Sequence, residues 1–210
     1  KYACYALSFT GGAVLKWFRD SFAEQERETA LENGESVYAL LDKKAPTEPT
    51  GILVLPHFAG AATPYMDSAA KAAFAGITLE TTKYDIYRAL MEGTSYEMRV
   101  NLERMESVSG NVNEIRATGG GAASDIWLQI KADILGKAVT ALNAPQVGAA
   151  GTAALAGAAI GIYGNIETAA EKMSPVRRVF YPNPENAEIY SGYYKKYAGF
   201  YSAIKGLGGI

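Results

Sequence analysis

The chain has 210 residues, of which 49% are hydrophobic and 20% are charged, and its formal net charge is -2. This length can bury a full hydrophobic core, and the composition is ordinary for one globular domain. The near-neutral charge offers no basic face, which argues against nucleic acid as a partner. The one cysteine, Cys4, excludes an intramolecular disulfide and fits a reducing compartment. We therefore expect a cytoplasmic protein.

No segment predicts a leader peptide or a membrane span. The chain opens on Lys1 without an initiator Met or an apolar core, which suggests a piece of a longer protein. Residues 138–166 carry no charge, but a turn over 143–146 interrupts them, and the rest is rich in Gly and Ala. Small residues supply little transfer free energy, so a close-packed helix after a turn is the prediction.

The first half of the chain alternates helical patterns with short apolar runs. The clearest helix has apolar or small residues at spacings of three and four, which places them on one face. The predicted elements are a helix over 12–30, a helix over 36–43, a strand over 52–55, a loop over 57–67, a strand over 74–79 and a helix over 83–108.

The second half continues the alternation. Its predicted elements are a strand over 114–118, a helix over 123–135, a strand over 137–142, a helix over 147–163 and a final helix that starts at Asn183 and Pro184. In that last helix Tyr190, Tyr194, Tyr197 and Tyr201 share one side. Packing onto the domain is the simpler explanation, although an aromatic binding surface stays open. Alternating strands and helices predict an α/β fold with helices flanking a sheet.

The segment Ala117-Thr118-Gly119-Gly120-Gly121 is the most informative one for function. A predicted strand ends in three glycines, and a helix begins two or three residues later. The backbone there can approach a ligand closely, and the helix N-terminus offers free N–H groups and partial positive charge. Such a junction suits a nucleotide. A purely structural role for the glycines stays open, and the segment fits neither the dinucleotide fingerprint nor a P-loop.

The sequence contains no familiar arrangement of catalytic or metal-binding residues. One histidine, His57, cannot make a histidine-rich metal site, and Cys4 with His57 is not a convincing nucleophile pair. A hydrogen-bonded structural role is expected for His57, and Asp67 could cap a turn or hold a metal. The sequence assigns no catalytic residue and no metal ligand.

Several motifs in order resemble the FGGY carbohydrate kinases. Ala72-Ala73-Phe74-Ala75-Gly76-Ile77, then seven residues, then Asp85-Ile86-Tyr87-Arg88-Ala89-Leu90-Met91-Glu92, resembles that family's second signature. The glycine segment, continued through Trp127, Gln129, Ala132 and Asp133, is similar to its adenosine motif. Residues 10–20, 56–67 and 148–161 are similar to its early helix, its loop before the signature and its small-residue helix. The form with three glycines and a serine is closest to xylulokinase-like members.

The resemblance implies a ribonuclease-H-like domain of the actin-like ATPase superfamily, with a mixed sheet flanked by helices. Residues 1–210 would be the C-terminal, nucleotide-binding lobe, without the N-terminal lobe that carries the catalytic Asp and most of the sugar pocket. Gly120, Gly121 and Ser124 would contact the adenine and ribose, Gly119 would shape the turn, and Gly12, with Lys16 as a further candidate, would approach from the opposite wall.

The implied reaction is transfer of a phosphoryl group from ATP with Mg2+ to a hydroxyl of a ketose or polyol such as xylulose. The isolated fragment would be inactive. The expected partner is the sugar, with no nucleic acid and no membrane, and a homodimer is possible. Two alternatives stay open: a non-catalytic nucleotide-binding or interaction module of the same fold, and a dinucleotide-dependent dehydrogenase, which the missing fingerprint disfavours.

Overall fold

The computed structural model describes residues 3–143 and 146–207. Eight helices and five strands lie in these ranges, together with one 3-10 turn at Gly120–Ala123. In chain order they are α1 Gly12–Phe22, α2 Glu24–Asn33, α3 Val37–Lys44, β1 Leu53–Leu55, β2 Ala73–Ala75, α4 Lys83–Ser109, β3 Ile115–Ala117, α5 Asp125–Leu135, β4 Val139–Leu142, α6 Val147–Ala159, α7 Ile166–Met173, β5 Val176–Phe180 and α8 Pro184–Lys205.

The strands of the described residues form two small sheets. β1 and β2 pair antiparallel, with Val54 opposite Phe74. In the other sheet β4 lies between β3 and β5, parallel to β3 and antiparallel to β5. Helix α5 connects the two parallel strands, which makes a β-α-β unit. The mixed α/β fold is therefore confirmed.

Helix α4 is the central element of the core. Its N-terminus is fixed by a capping box in which Thr82 and Asp85 satisfy each other's backbone N–H groups. Its middle packs against β1 so closely that a Cβ at Gly93 would lie 2.5 Å from the carbonyl oxygen of Val54. Only glycine allows this contact between helix and strand, so residue 93 sets the distance between the two elements.

Helix α8 packs on α4 through its tyrosines. Tyr190, Tyr194, Tyr197 and Tyr201 are all buried, and the ring of Tyr96 lies among three of them. The predicted packing role of this stripe is confirmed. Asn183 also caps the helix as predicted, because its side-chain oxygen accepts from two backbone N–H groups of the first turn.

Some predicted boundaries are wrong. The helix expected over 12–30 is two helices, because the chain bends at Ala23, which is fully buried. The strand expected over 74–79 ends at Ala75, since Gly76 has a φ of 93° that no strand accommodates. The helix expected over 147–163 ends at Ala159.

Two elements, α7 and β5, were not predicted at all. Strand β5 has three exposed positions in a row and no clear alternation, so the pairing with β4 decides its conformation. Of the predicted turn over 143–146, residues 144 and 145 lie outside the described residues. In the part of the chain that the structure covers, no helix is both long and apolar enough to span a bilayer.

Candidate functional site

A cavity of about 550 Å³ lies where α1, α3, α4 and the glycine turn meet. Its volume falls within the range of small-molecule sites. Segments far apart in the sequence form its walls, and its lining residues are Gly12, Leu15, Ser36, Tyr38, Ala39, Asp42, Tyr87, Gly120, Gly121, Ala123, Ser124 and Trp127. Four of the six sequence-predicted site residues, namely Gly12, Gly120, Gly121 and Ser124, therefore share one cavity.

The three glycines of the turn have different physical reasons to be glycine. Gly119 has a φ of 79°, which a side chain would strain. A Cβ at Gly121 would lie 2.8 Å from the ring of Trp127, so packing excludes a side chain there. A Cβ at Gly120 would meet no described atom within 4 Å, although Gly120 lines the cavity. Of these three glycines, Gly120 is the one at which neither a positive φ nor a close neighbour opposes a side chain.

The turn is held in place by β5 and by the start of α5. Arg177 donates to the carbonyl oxygen of Ala122 at 3.0 Å and pairs with Asp125 at 2.8 Å. Ser124 caps α5, because its Oγ accepts from the backbone N–H of Trp127 at 3.2 Å. The same hydroxyl also acts on Asp42, because its hydrogen bonding lowers the pKa of that carboxyl. The cap explains why a serine suits this position even before any ligand is considered.

Gly12 forms the opposite wall at the start of α1. Among the described residues no side chain caps this helix, and its first turn contains no acidic residue. A Cβ at Gly12 would meet no described atom within 4 Å. The backbone N–H groups of a first helical turn lack partners within the helix, so a bare N-terminus beside a cavity favours an anionic or hydrogen-bond-accepting ligand.

The two remaining candidates do not line the cavity. Lys16 lies one turn further along α1, where its Nζ pairs with Asp20 at 2.9 Å and its side chain is largely exposed. Gly119 precedes the turn and acts through its backbone conformation. Lys16 and Gly119 stay predictions that depend on a ligand or a further segment reaching them.

Asp42 is a cavity residue that the sequence did not reveal. It lies in α3 and accepts a hydrogen bond from the hydroxyl of Tyr87 at 2.8 Å. Burial raises the pKa of its carboxyl above the usual value, and the neighbouring Asp125 adds to this, while the hydroxyls of Ser124 and Tyr87 act in the opposite direction. No local pattern around residue 42 marks it, because both hydroxyls belong to distant segments.

A second cavity, of about 570 Å³, adjoins the first and shares Gly12, Gly121 and Trp127 with it. Its wall includes Lys131, whose Nζ lies 3.9 Å from the centre of the Trp127 ring. Burial lowers the pKa of Lys131 to about 8. The ammonium group of Lys131 is therefore partly buried next to the first cavity.

Two polar residues that line neither cavity, Glu92 and His57, are parts of the core. Glu92 is 1% exposed and accepts from Arg88, Thr50 and Tyr190, which joins α4, the chain before β1 and α8. His57 is also buried, with its Nε2 3.4 Å from a carboxylate oxygen of Glu97. The hydrogen-bonded role predicted for it is wrong, because neither ring nitrogen has a hydrogen-bond partner among the described residues.

Asp67 accepts from the hydroxyl of Tyr201 at 2.6 Å and from the backbone N–H of Ala69. The turn-capping role that the sequence allowed for it is thus present. Within the described ranges, no group of three or more His, Cys, Asp and Glu side chains could hold a metal ion.

Comparison with known proteins gives a consistent picture. Residues 1–160 match the family described as the FGGY family of carbohydrate kinases, C-terminal domain. The chain is 32% identical over 206 residues to a xylulose kinase of Staphylococcus epidermidis, which covers 98% of this chain and 40% of that protein. It is also 32% identical to an autoinducer-2 kinase of an Enterobacter species, over 96% of this chain and 39% of that protein.

Solved structures agree on the fold. A ligand-bound xylulose kinase from Lactobacillus acidophilus superposes with a TM-score of 0.77 at 24% identity, over 95% of this chain and 39% of that one. A Plasmodium falciparum glycerol kinase with ADP gives a TM-score of 0.69 at 20% identity, over 90% of this chain and 37% of that one. The chain thus spans about 40% of the length of the curated relatives.

Proposed function

Because the chain belongs to the FGGY family of carbohydrate kinases, we propose that residues 1–210 form the nucleotide-binding lobe of a sugar kinase. In this proposal the complete protein transfers a phosphoryl group from ATP to a hydroxyl of a sugar. The catalytic base and most of the sugar pocket belong to the first lobe, which corresponds to the larger part of the relatives that this chain does not span.

One observation carries the proposal. Gly12 and the turn at Gly120–Ala123 are more than a hundred positions apart, yet both line the cavity of about 550 Å³. Three features of this cavity suit a nucleoside: an open backbone at Gly12 and Gly120, aromatic and aliphatic walls from Trp127 and Leu15, and a few polar side chains. The fit rests on the chain's own residues and not only on the family name.

The chain's residues would contribute binding and orientation rather than proton transfer. The walls of the cavity would hold the adenosine, and the bare N-terminus of α1 would favour the negative charge that follows it. Lys131, in the adjoining cavity, would add positive charge near the same place. Phosphoryl transfer depends mainly on alignment and on neutralising charge, so a lobe that fixes the nucleotide supplies a large part of the catalysis.

Magnesium would accompany the nucleotide. Among the described residues no cluster of carboxylates is arranged to hold a metal. We therefore assign Mg2+ to the phosphates and to the first lobe, where it would neutralise the charge of the transferred group.

The acceptor is proposed to be a ketose or polyol of the xylulose type. Support comes from the relatives, which include a xylulose kinase and an autoinducer-2 kinase.

The test is a titration of isotope-labelled chain with Mg-ADP, followed by backbone amide NMR. Millimolar affinity is expected for half of a site, which is about 4 kcal/mol of binding free energy. Amide shifts should centre on Gly12 and on residues 119–124. Gly120→Val should abolish them, because its side chain would enter the cavity while the fold stays intact.

Gly192→Val is the matched control. Gly192 is exposed on α8, a Cβ there meets no described atom within 4 Å, and it does not line the cavity. Normal ADP binding by Gly120→Val would refute the site. Sugar-dependent ATP turnover by the pure chain would refute the assignment of the catalytic base to another lobe.

A further inference from the structure

The proposed nucleoside cavity is lined by one carboxylate, Asp42, and burial outweighs its hydrogen bonds with Ser124 and Tyr87, because its pKa is raised. Asp42 lies in the last turn of α3, which ends at Lys44. An anion near a helix C-terminus is unfavourable because the macrodipole is negative there. Asp42 is also partly buried and feels the like charge of Asp125. Three unfavourable effects at one position call for a compensating role.

One oxygen of this carboxylate is fixed by the protein. The hydroxyl of Tyr87 donates to Oδ1 at 2.8 Å, and Tyr87 itself is 1% exposed on α4. The carboxylate is therefore held in one orientation at the cavity wall. Its second oxygen, Oδ2, is not engaged by Tyr87, so it can accept from a molecule inside the cavity. The hydroxyl of Ser124, on the facing wall, also lowers the pKa of this carboxyl by hydrogen bonding, and a carboxylate oxygen can accept from a second donor at the same time.

A carboxylate that only accepts hydrogen bonds selects ligands that donate them. A bound adenosine offers two kinds of donor: the hydroxyls of the ribose and the exocyclic amine of the base. Hydrogen bonds to a charged group contribute more than neutral ones, and a buried acceptor left unpaired is costly. A ligand that lacks the donor is then rejected more strongly than one that lacks an apolar contact.

We propose that Asp42 is the specificity-determining residue of the nucleoside cavity, where its carboxylate accepts a hydrogen bond from a donor of the bound nucleoside. The inference rests on the proposed nucleotide site and goes further, because it states which chemical group on the ligand is recognised. Tyr87 is a positioning residue in this arrangement, since it acts through Asp42.

The test uses the 210-residue chain and three diphosphates in amide NMR titrations. ADP carries both donors, 2′-deoxy-ADP lacks one ribose hydroxyl, and inosine diphosphate lacks the exocyclic amine. The unaltered chain should bind one of the two analogues about tenfold more weakly than ADP, which is the loss expected for one hydrogen bond to a charged group. The weaker analogue identifies the donor as the ribose or the base.

In Asp42→Asn, the dissociation constants of ADP and of the weaker analogue should become nearly equal. The chain should stay folded, because the amide oxygen can still accept from Tyr87. Glu48→Gln makes the same chemical change at an exposed residue outside the cavity, and it should keep the tenfold ratio. Equal binding of all three ligands by the unaltered chain overturns the proposal, and so does an unchanged ratio in Asp42→Asn.

The proposed nucleotide site fails in a different way. If ADP shifts no amide of the cavity, or if Gly120→Val binds ADP normally, the site itself is refuted and Asp42 loses its ligand. If Gly120→Val blocks ADP but Asp42→Asn changes no ratio, the site stands and only the role of Asp42 is wrong.

Discussion

Glu26 provides the sharpest quantitative test of how the helices of this chain are held together. Its carboxylate is fully buried in α2, and it accepts from Lys44 of α3 at 3.1 Å and from Lys83 and Tyr84 of α4 at 2.8 and 2.6 Å. These contacts join α2 and α3 to the central helix α4, and α3 forms part of the wall of the cavity of about 550 Å³. Replacement of Glu26 by Gln keeps the shape and removes the charge.

The size of the effect follows from the pKa of Glu26. Burial alone would raise the pKa, but hydrogen bonds from Lys83, Tyr84 and Lys44 outweigh burial and lower it from 4.5 to about 2. Each pKa unit corresponds to about 1.4 kcal/mol, so the charged form contributes ~3 kcal/mol to the free energy of unfolding at neutral pH. Glu26→Gln should therefore be about 3 kcal/mol less stable than the unaltered chain at pH 7.

The pH dependence has a definite sign. A carboxyl whose pKa is lower in the folded chain stabilises fully above its unfolded pKa, and the contribution disappears as the pH falls towards the folded pKa. The difference in free energy of unfolding between the unaltered chain and Glu26→Gln should thus be nearly constant above about pH 5. It should fall to less than half of that value by about pH 3. Urea unfolding at pH 7, 5 and 3, followed by circular dichroism, measures it.

Glu35→Gln is the control, because Glu35 pairs with Lys43 at 3.6 Å on the surface between α2 and α3. That exposed pair should contribute less than about 1 kcal/mol. A Glu26→Gln variant within 1 kcal/mol of the unaltered chain at pH 7 would contradict the reasoning. A penalty that is the same at pH 3 and pH 7 would show that the charge is not its cause.

Two further substitutions test the packing of α4, both by urea unfolding at pH 7. Gly93→Ala should lower the free energy of unfolding by about 1–3 kcal/mol, since the new Cβ would lie 2.5 Å from the carbonyl oxygen of Val54; unchanged stability would mean that the helix and strand separate easily. Arg88→Met should lower it by about 3–5 kcal/mol, because Glu92 would keep a buried charge without its cation; a loss below 1 kcal/mol would indicate that Thr50 and Tyr190 suffice for Glu92.

Features that depend on neighbours along the chain were predictable. The long helix α4 is close to its expected bounds because its apolar spacing, its polar face and its cap lie within one segment. The same holds for α8, whose start is fixed by Asn183 and Pro184. The glycine turn was recognised because glycine is needed wherever backbone conformation or close approach forbids a side chain.

Features that depend on contacts between distant segments were not predictable from the sequence. The bend at Ala23 carries no Gly or Pro, and it forms because the core buries that residue. Strand β5 lacks an alternating pattern and is defined by β4 beside it. For such elements the local sequence has no preference strong enough to oppose the tertiary contacts.

The sequence by itself indicated the family, the order of most of the elements and two glycine segments for which nucleotide contact is proposed, because each of these depends on short local motifs. The tertiary structure decided which residues share the cavity: it brought Gly12 to the turn at Gly120, left Lys16 with Asp20, and placed Asp42 beside Tyr87, 45 positions away. A hydrogen bond between distant segments leaves no periodic trace in a sequence, since only the fold sets the distance between its donor and its acceptor.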